Sequence, residues 1–136
     1  MKYFLDTNIF LRALLNDHPI FSPECQKLIQ RIKKGKLEAF TSDLVIAEIV
    51  FILGNKKRHA YTKSQIKPVL IPLLSLEYLS TPSKPYWKTI FAIYVGKNID
   101  FIDAYNAVVM ESQNSTHLYS YDRDFEKIAS LKRHEP

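Results

Sequence analysis

Lys2-Tyr3-Phe4-Leu5-Asp6-Thr7-Asn8 is a short apolar run that meets a carboxylate before any turn has been made. Tyr3, Phe4 and Leu5 favour an extended, buried strand, and from Ile9 to Leu15 the apolar spacing turns helical. Asp6 therefore falls where a strand gives way to a helix. In open α/β sheets ligands bind outside the carboxyl ends of strands, so an acid there is a functional candidate by position. The competing reading is that Asp6, Thr7 or Asn8 caps the helix that follows.

The 136 residues, 46% of them hydrophobic, suit one domain with its own core and are too few for two ordinary ones. One domain over residues 1–136 is expected. Cys25 is the only cysteine, which excludes an intramolecular disulfide, and His18, His59, His117 and His134 are too scattered for a zinc motif. No apolar run is long enough for a membrane span, and the N-terminus enters a strand pattern without the regions of a signal peptide. A cytoplasmic, unprocessed protein is the expectation. A net charge of +5 favours a polyanionic partner.

Beyond the first helix, Ser22-Pro23-Glu24 reads as cap, first-turn proline and first-turn acid. Cys25, Leu28, Ile29 and Ile32 then form an apolar stripe, opposite a polar and basic face, with Gly35 as the stop. That basic face reads as a solvated helix surface, with a nucleic-acid contact as the alternative. Leu37 to Thr41 reads as a second strand. Asp43 to Gly54, capped by Ser42 or Thr41, is a helix apolar on nearly every side, and its burial is expected. Glu48 sits in its middle and would need a metal, a proton or a salt-bridge partner.

The Lys56-Lys57-Arg58-His59 loop follows, free to touch phosphate or solvent. Ser64 is a candidate cap for a helix that Pro72 should kink, and Leu76 to Leu79 a candidate third strand. Pro85 should start a helix whose Trp87, Ile90, Phe91, Tyr94 and Val95 form a core stripe ending at Gly96. Asp100 is placed to cap the next helix, with Asp103 in its first turn, and a reciprocal capping box is the plain reading. Asp103 stands out because Ala104, Ala107, Val108 and Met110 make that helix apolar. His117 to Tyr121 is a last strand ending at Asp122-Arg123-Asp124, followed by a terminal helix. The alternation of strands and helices implies a parallel sheet covered by helices on both faces.

Asp6, Glu48, Asp103 and Asp122 would repel one another if brought together, and a hard divalent cation would offset that. An all-oxygen site without cysteine or histidine points to Mg²⁺ or Mn²⁺. Such a site suits phosphodiester hydrolysis, with the basic surface holding the rest of the polyanion.

Phe4-Leu5-Asp6-Thr7-Asn8, Ile46-Ala47-Glu48, Asp100-Phe-Ile-Asp-Ala-Tyr-Asn-Ala107 and Ser120-Tyr-Asp-Arg-Asp-Phe125 together resemble the four acidic motifs of PIN-domain ribonucleases, especially the small VapC-type toxins. The resemblance covers essentially the whole chain. It implies a three-layer αβα PIN-like fold with a central parallel sheet of four to five strands. It further implies a Mg²⁺- or Mn²⁺-dependent endoribonuclease whose acidic, metal-binding cluster is Asp6, Glu48, Asp103 and Asp122. Asn8 and Ser120 would be supporting polar groups, and a homodimer neutralised by an antitoxin protein would be the assembly. Asp124 competes with Asp122 for the fourth acid, and Asp100 could stand behind the metal ligands.

Two rival functions start from the same residues. A haloacid-dehalogenase-type phosphatase also opens with a strand-terminal aspartate, but its motif wants a second acid where this chain has Asn8. A silent RNA- or protein-binding PIN module, or a PIN-type RNA-processing nuclease outside any toxin system, shares the fold. Against the silent module, a negative cluster repels phosphate unless metal fills it. A site for an antitoxin is expected on the first three helices and the proline-containing segment. Ile9, Phe10, Leu14, Phe21, Ile49, Phe51, Ile52, Leu70, Leu73 and Leu74 there exceed what one side of a sheet needs.

Overall fold

The computed structural model describes all 136 residues, which cluster into two compact units, Met1–Pro85 and Tyr86–Pro136. No helix is long and apolar enough to cross a membrane. The class is α/β, and every strand pairing is parallel. Five strands are present, divided into a three-stranded and a two-stranded sheet.

In the first unit the order is β1 (Lys2–Phe4), α1 (Thr7–Leu15), α2 (Phe21–Lys33), β2 (Glu38–Phe40), α3 (Asp43–Gly54), α4 (Lys63–Leu74) and β3 (Leu79–Ser80). β2 is central, with Tyr3 opposite Ala39 and Phe40 opposite Ser80. Parallel neighbours cannot be joined by a tight turn, so each pair is bridged by two helices. Tyr3 and Phe4 are exposed rather than buried, and Leu5, one residue past the strand, is the buried one. β1 is an edge strand of its sheet, and the Phe4 and Phe40 rings meet edge to face at 5.3 Å.

Local chemistry fixes several helix ends. Ser42 caps α3 by accepting from the Val45 N–H at 3.1 Å. Gly35 ends α2 at φ +68°, where a Cβ would stand 2.8 Å from the Tyr78 ring. Two caps differ from expectation. Ser22 lies inside α2, and His18 does the capping: its Nδ1 accepts from the N–H groups of Ile20 and Phe21. Thr62, not Ser64, starts α4, in a reciprocal capping box with Gln65. α4 continues through both Pro68 and Pro72 as one helix.

α3 corrects a second expectation. Val45, Ile46, Ile49, Val50 and Leu53 form a single buried face. Leu44 and Phe51, 79% and 72% exposed, lie on the other with Glu48. Apolar residues on a solvent face had made the helix read as buried all round. Of the ten residues expected to exceed the needs of a core, Phe10, Ile49, Leu70, Leu73 and Leu74 are core. Ile9, Leu14 and Ile52 are half-buried, and only Phe21 and Phe51 are exposed.

The second unit contains α5 (Trp87–Gly96), α6 (Phe101–Ser112), β4 (His117–Tyr119) and β5 (Lys132–His134). A short 3₁₀ turn at Lys84–Tyr86 precedes α5. In place of a terminal helix, a 3₁₀ turn at Arg123–Lys127 leads into β5. The aromatic stripe of α5 is core, as its spacing implies, and Phe101 is its hub. The Phe101 ring lies 5.3 Å from Phe91, 5.7 Å from Tyr94 and 6.3 Å from Trp87. Phe101 is the first residue of α6, so this cluster holds the helix end that carries Asp103. Phe101→Ala should cost about 3–5 kcal/mol, read as a lowered urea midpoint at unchanged m-value.

Candidate active site

Asp6 occupies the cap position of α1 with extended backbone, yet its carboxylate makes no capping hydrogen bond. Only its main-chain carbonyl serves the helix, accepting from the Ile9 N–H at 3.1 Å. The exposed side chain is therefore free of the local role that competed with a functional one. Its placement is set by Leu5, whose N–H donates to the Phe40 carbonyl at 2.9 Å. The Leu5 carbonyl in turn accepts from the buried Thr41 hydroxyl at 2.7 Å. Thr41 is a positioning residue that sequence reasoning took only for a strand end or cap.

Asn8, in the first turn of α1, lines a recess of about 500 Å³ of mixed character, with Arg12, Arg58 and His59 among its polar residues and Leu11, Leu15 and Ile52 among its apolar ones. The basic loop after α3 thus comes to the same side as Asn8. Arg12 is engaged there by Asp17 at 3.1 Å, and that pairing holds the Asp17 carboxyl below its ordinary range. Glu48 is exposed on α3 and forms no ion pair, which removes the structural salt bridge as its explanation. Its exposure also removes the burial that had demanded a partner.

In the second unit Asp100 stands at the cap position of α6 without a side-chain capping bond, so the expected reciprocal box is absent. Asp103, half-buried in the first turn, lies near enough to Asp122 for the second carboxyl to act on it. Asp122 follows β4 and is itself tied down. Its Oδ1 accepts from the Asp124 N–H at 2.9 Å, and its own N–H donates to the Ser120 hydroxyl at 3.0 Å. Asp124 is instead paired with Lys127 at 3.0 Å. The two neighbouring acids are thereby distinguished: Asp122 faces Asp103, and Asp124 faces a lysine. Asn106, one turn beyond Asp103, is exposed.

Burial pushes the Asp103 carboxyl above its ordinary value, and the charge of Asp122 adds to that. The charges of Asp100 and Asp124 act in the same direction. All these donors are hard oxygens, the set suited to Mg²⁺ or Mn²⁺, and a cation would relieve the crowding that raises Asp103. Within neither unit do three or more acidic, histidine or cysteine side chains gather closely enough to enclose a metal.

The sign of the pH effect follows. Between the ordinary aspartate value and the raised one, the folded chain keeps a proton that the unfolded chain has released. This contribution to stability is full below the ordinary value and is lost as pH rises through that interval. In EDTA, the melting temperature of Asp103→Asn relative to the unsubstituted chain should therefore climb from pH 4 to pH 7. A constant difference would show that Asp103 titrates normally.

The comparisons agree with the motif reading at the level of the family. No curated protein matches the chain. A family model described as the PIN domain matches residues 3–131, which takes in both compact units and all the acids described above. Proteins of that family are generally metal-dependent nucleases. With a match over nearly its full length, this chain belongs to the PIN-domain family.

Proposed function

We propose that this chain is a Mg²⁺- or Mn²⁺-dependent endoribonuclease and the toxin of a toxin–antitoxin pair. Its acidic set is Asp6, Glu48, Asp103 and Asp122, with Asn8, Ser120, Asp100 and Asp124 in support. The observation that carries this reading is the Asp103–Asp122 pair: two carboxyls of like charge set near each other, with the half-buried Asp103 raised. Such a pair adds nothing to an RNA-binding surface, and it is what a cation would stabilise.

When bound, the cation supplies a water-derived nucleophile at neutral pH and stabilises charge on the leaving oxygen. The residues do the rest. Ser120 fixes the main chain at Asp122, and Thr41 fixes the main chain at Asp6. The Asp124 carboxylate is occupied by Lys127 and acts on Asp103 by its charge, while its main-chain N–H holds Asp122. Arg58 and His59, beside Asn8, offer donors to the phosphates of a polyanion.

Two surfaces of the first unit support the partners in this reading. A mainly apolar recess of about 180 Å³ lies between α1 and α2, with Phe10, Leu14, Ile29 and Leu73 in its lining. It suits the apolar face of an amphipathic antitoxin segment. The exposed Leu44 and Phe51 of α3 suit a second copy of the chain.

Purified protein should cleave single-stranded RNA with Mg²⁺ or Mn²⁺, and EDTA, Asp6→Asn or Asp103→Asn should each reduce cleavage to background. Full activity in excess EDTA would end the metal assignment. Expression alone in the native host should arrest growth, with relief by Asp6→Asn. If both forms are equally harmless there, the toxin assignment falls while the nuclease assignment stands.

A further inference from the structure

The two-stranded sheet of the second unit has two unlike faces. Register places His117 opposite Lys132, Leu118 opposite Arg133 and Tyr119 opposite His134. Alternation therefore sends Leu118 and Arg133 to one side and His117, Tyr119, Lys132 and His134 to the other. The first side is closed. Arg133, its side chain only 11% exposed, is held by Glu126, Glu135 and the Ser120 carbonyl.

The second side is open and built of rings. Tyr119 is 75% exposed, and both histidines and Lys132 are exposed too. Nδ1 of His117 lies 2.8 Å from Nε2 of His134, with ring planes 12° apart and centroids 5.1 Å apart. That centroid separation is the one two imidazoles have when they meet nitrogen to nitrogen, edge against edge. A shared hydrogen bond thus joins them into one broad flat surface. Tyr119 lies beside it, 5.9 Å from His134. Two residues on, Tyr121 is 72% exposed and immediately precedes Asp122.

We infer that this face is a stacking platform for unpaired bases of single-stranded RNA, leading the strand toward Asp122. The inference rests on the nuclease reading and names the residues that would hold its substrate. Aromatic and imidazole faces stack on any base, and Lys132 on the same face matches the phosphate charge. Rings two residues apart on a strand stand about 6.6 Å apart along it, so successive bases of an extended strand can be taken in turn. Duplex RNA, with its bases stacked inside, offers the rings nothing to hold and presents only its phosphates, to Lys132.

Binding of fluorescein-labelled ten-nucleotide poly(A) and poly(U), measured by anisotropy in EDTA, separates this inference from catalysis. Tyr119→Ala and His134→Ala should each weaken binding about tenfold, within the range for losing one base stack, and Tyr119→Phe should bind as the unsubstituted chain does. Binding of a ten-base-pair duplex should be unchanged by any of them. Circular dichroism melts establish that the alanine variants are folded. For a variant that fails to fold, quenching of Tyr119→Trp fluorescence by the same RNAs replaces it, with Trp87 buried and hence a constant background. If folded Tyr119→Ala and His134→Ala bind single strands as tightly as the unsubstituted chain, or if Tyr119→Trp fluorescence is not quenched, the platform is overturned. Conversion of a dimer to a monomer by Tyr119→Ala, without loss of RNA affinity, would overturn it in favour of a second copy. Absence of metal-dependent cleavage alongside ring-dependent binding would remove the nuclease reading and leave the platform standing.

Discussion

Parallel pairing is the constraint from which the rest of this structure follows. Strands that run the same way cannot be joined by a two-residue turn, so β1 to β2 and β2 to β3 are each bridged by a pair of helices. The strands themselves are only two or three residues long, and most of the buried apolar surface is supplied by helices. What the short strands do is align chain ends. Leu5 is held by Phe40 and Thr41, so the backbone leaving β1 is fixed at the residue before Asp6. At the end of β4 the Ser120 hydroxyl performs the same service for Asp122.

Fixed backbones allow like charges to be held together. The Asp103–Asp122 contact is unfavourable when both groups are ionised, and a protein that could relax would separate them. Here Asp103 stands on the first turn of a helix anchored by the Phe101 cluster, and Asp122 is bound on both sides by main-chain and hydroxyl groups. The rigid aromatic packing of α5 against α6 therefore matters to chemistry as well as to stability. Asp124 illustrates the opposite outcome. Two residues away from Asp122, it meets a lysine and forms an ordinary partly exposed ion pair, whose own contribution to stability is small.

Several residues that attract attention in the sequence have local roles. Gly35 answers the need for a positive φ beside the Tyr78 ring, and His18 caps α2 through Nδ1. Cys25 is buried and its thiol is pushed up by that burial, as expected of a core cysteine without redox function. With these accounted for, the acids, the exposed rings beside β4 and β5 and the exposed Leu44 and Phe51 of α3 stand among the groups that folding alone does not explain.

The sequence by itself determined the α/β class, the junction that places Asp6 after a strand, and the bounds of α3. It also determined the core role of Trp87, Ile90, Phe91 and Tyr94. These are written in caps, stops and spacings that act within a turn or two of helix, so they can be read without knowing what lies opposite. The exposure of Glu48 could not be read that way, because apolar neighbours look the same whether they face a core or solvent. Nor could the separate fates of Asp122 and Asp124, the failure of Asp100 and Asp103 to form a capping box, or the Thr41 bond that settles Asp6. The division of five strands between two sheets, and the ring-bearing face opposite Arg133, were likewise decided only by tertiary structure. The Thr41 bond to Leu5, the approach of Asp122 to Asp103 and the strand pairings bring together residues far apart in the chain, and such adjacency leaves no trace in the local pattern of side chains.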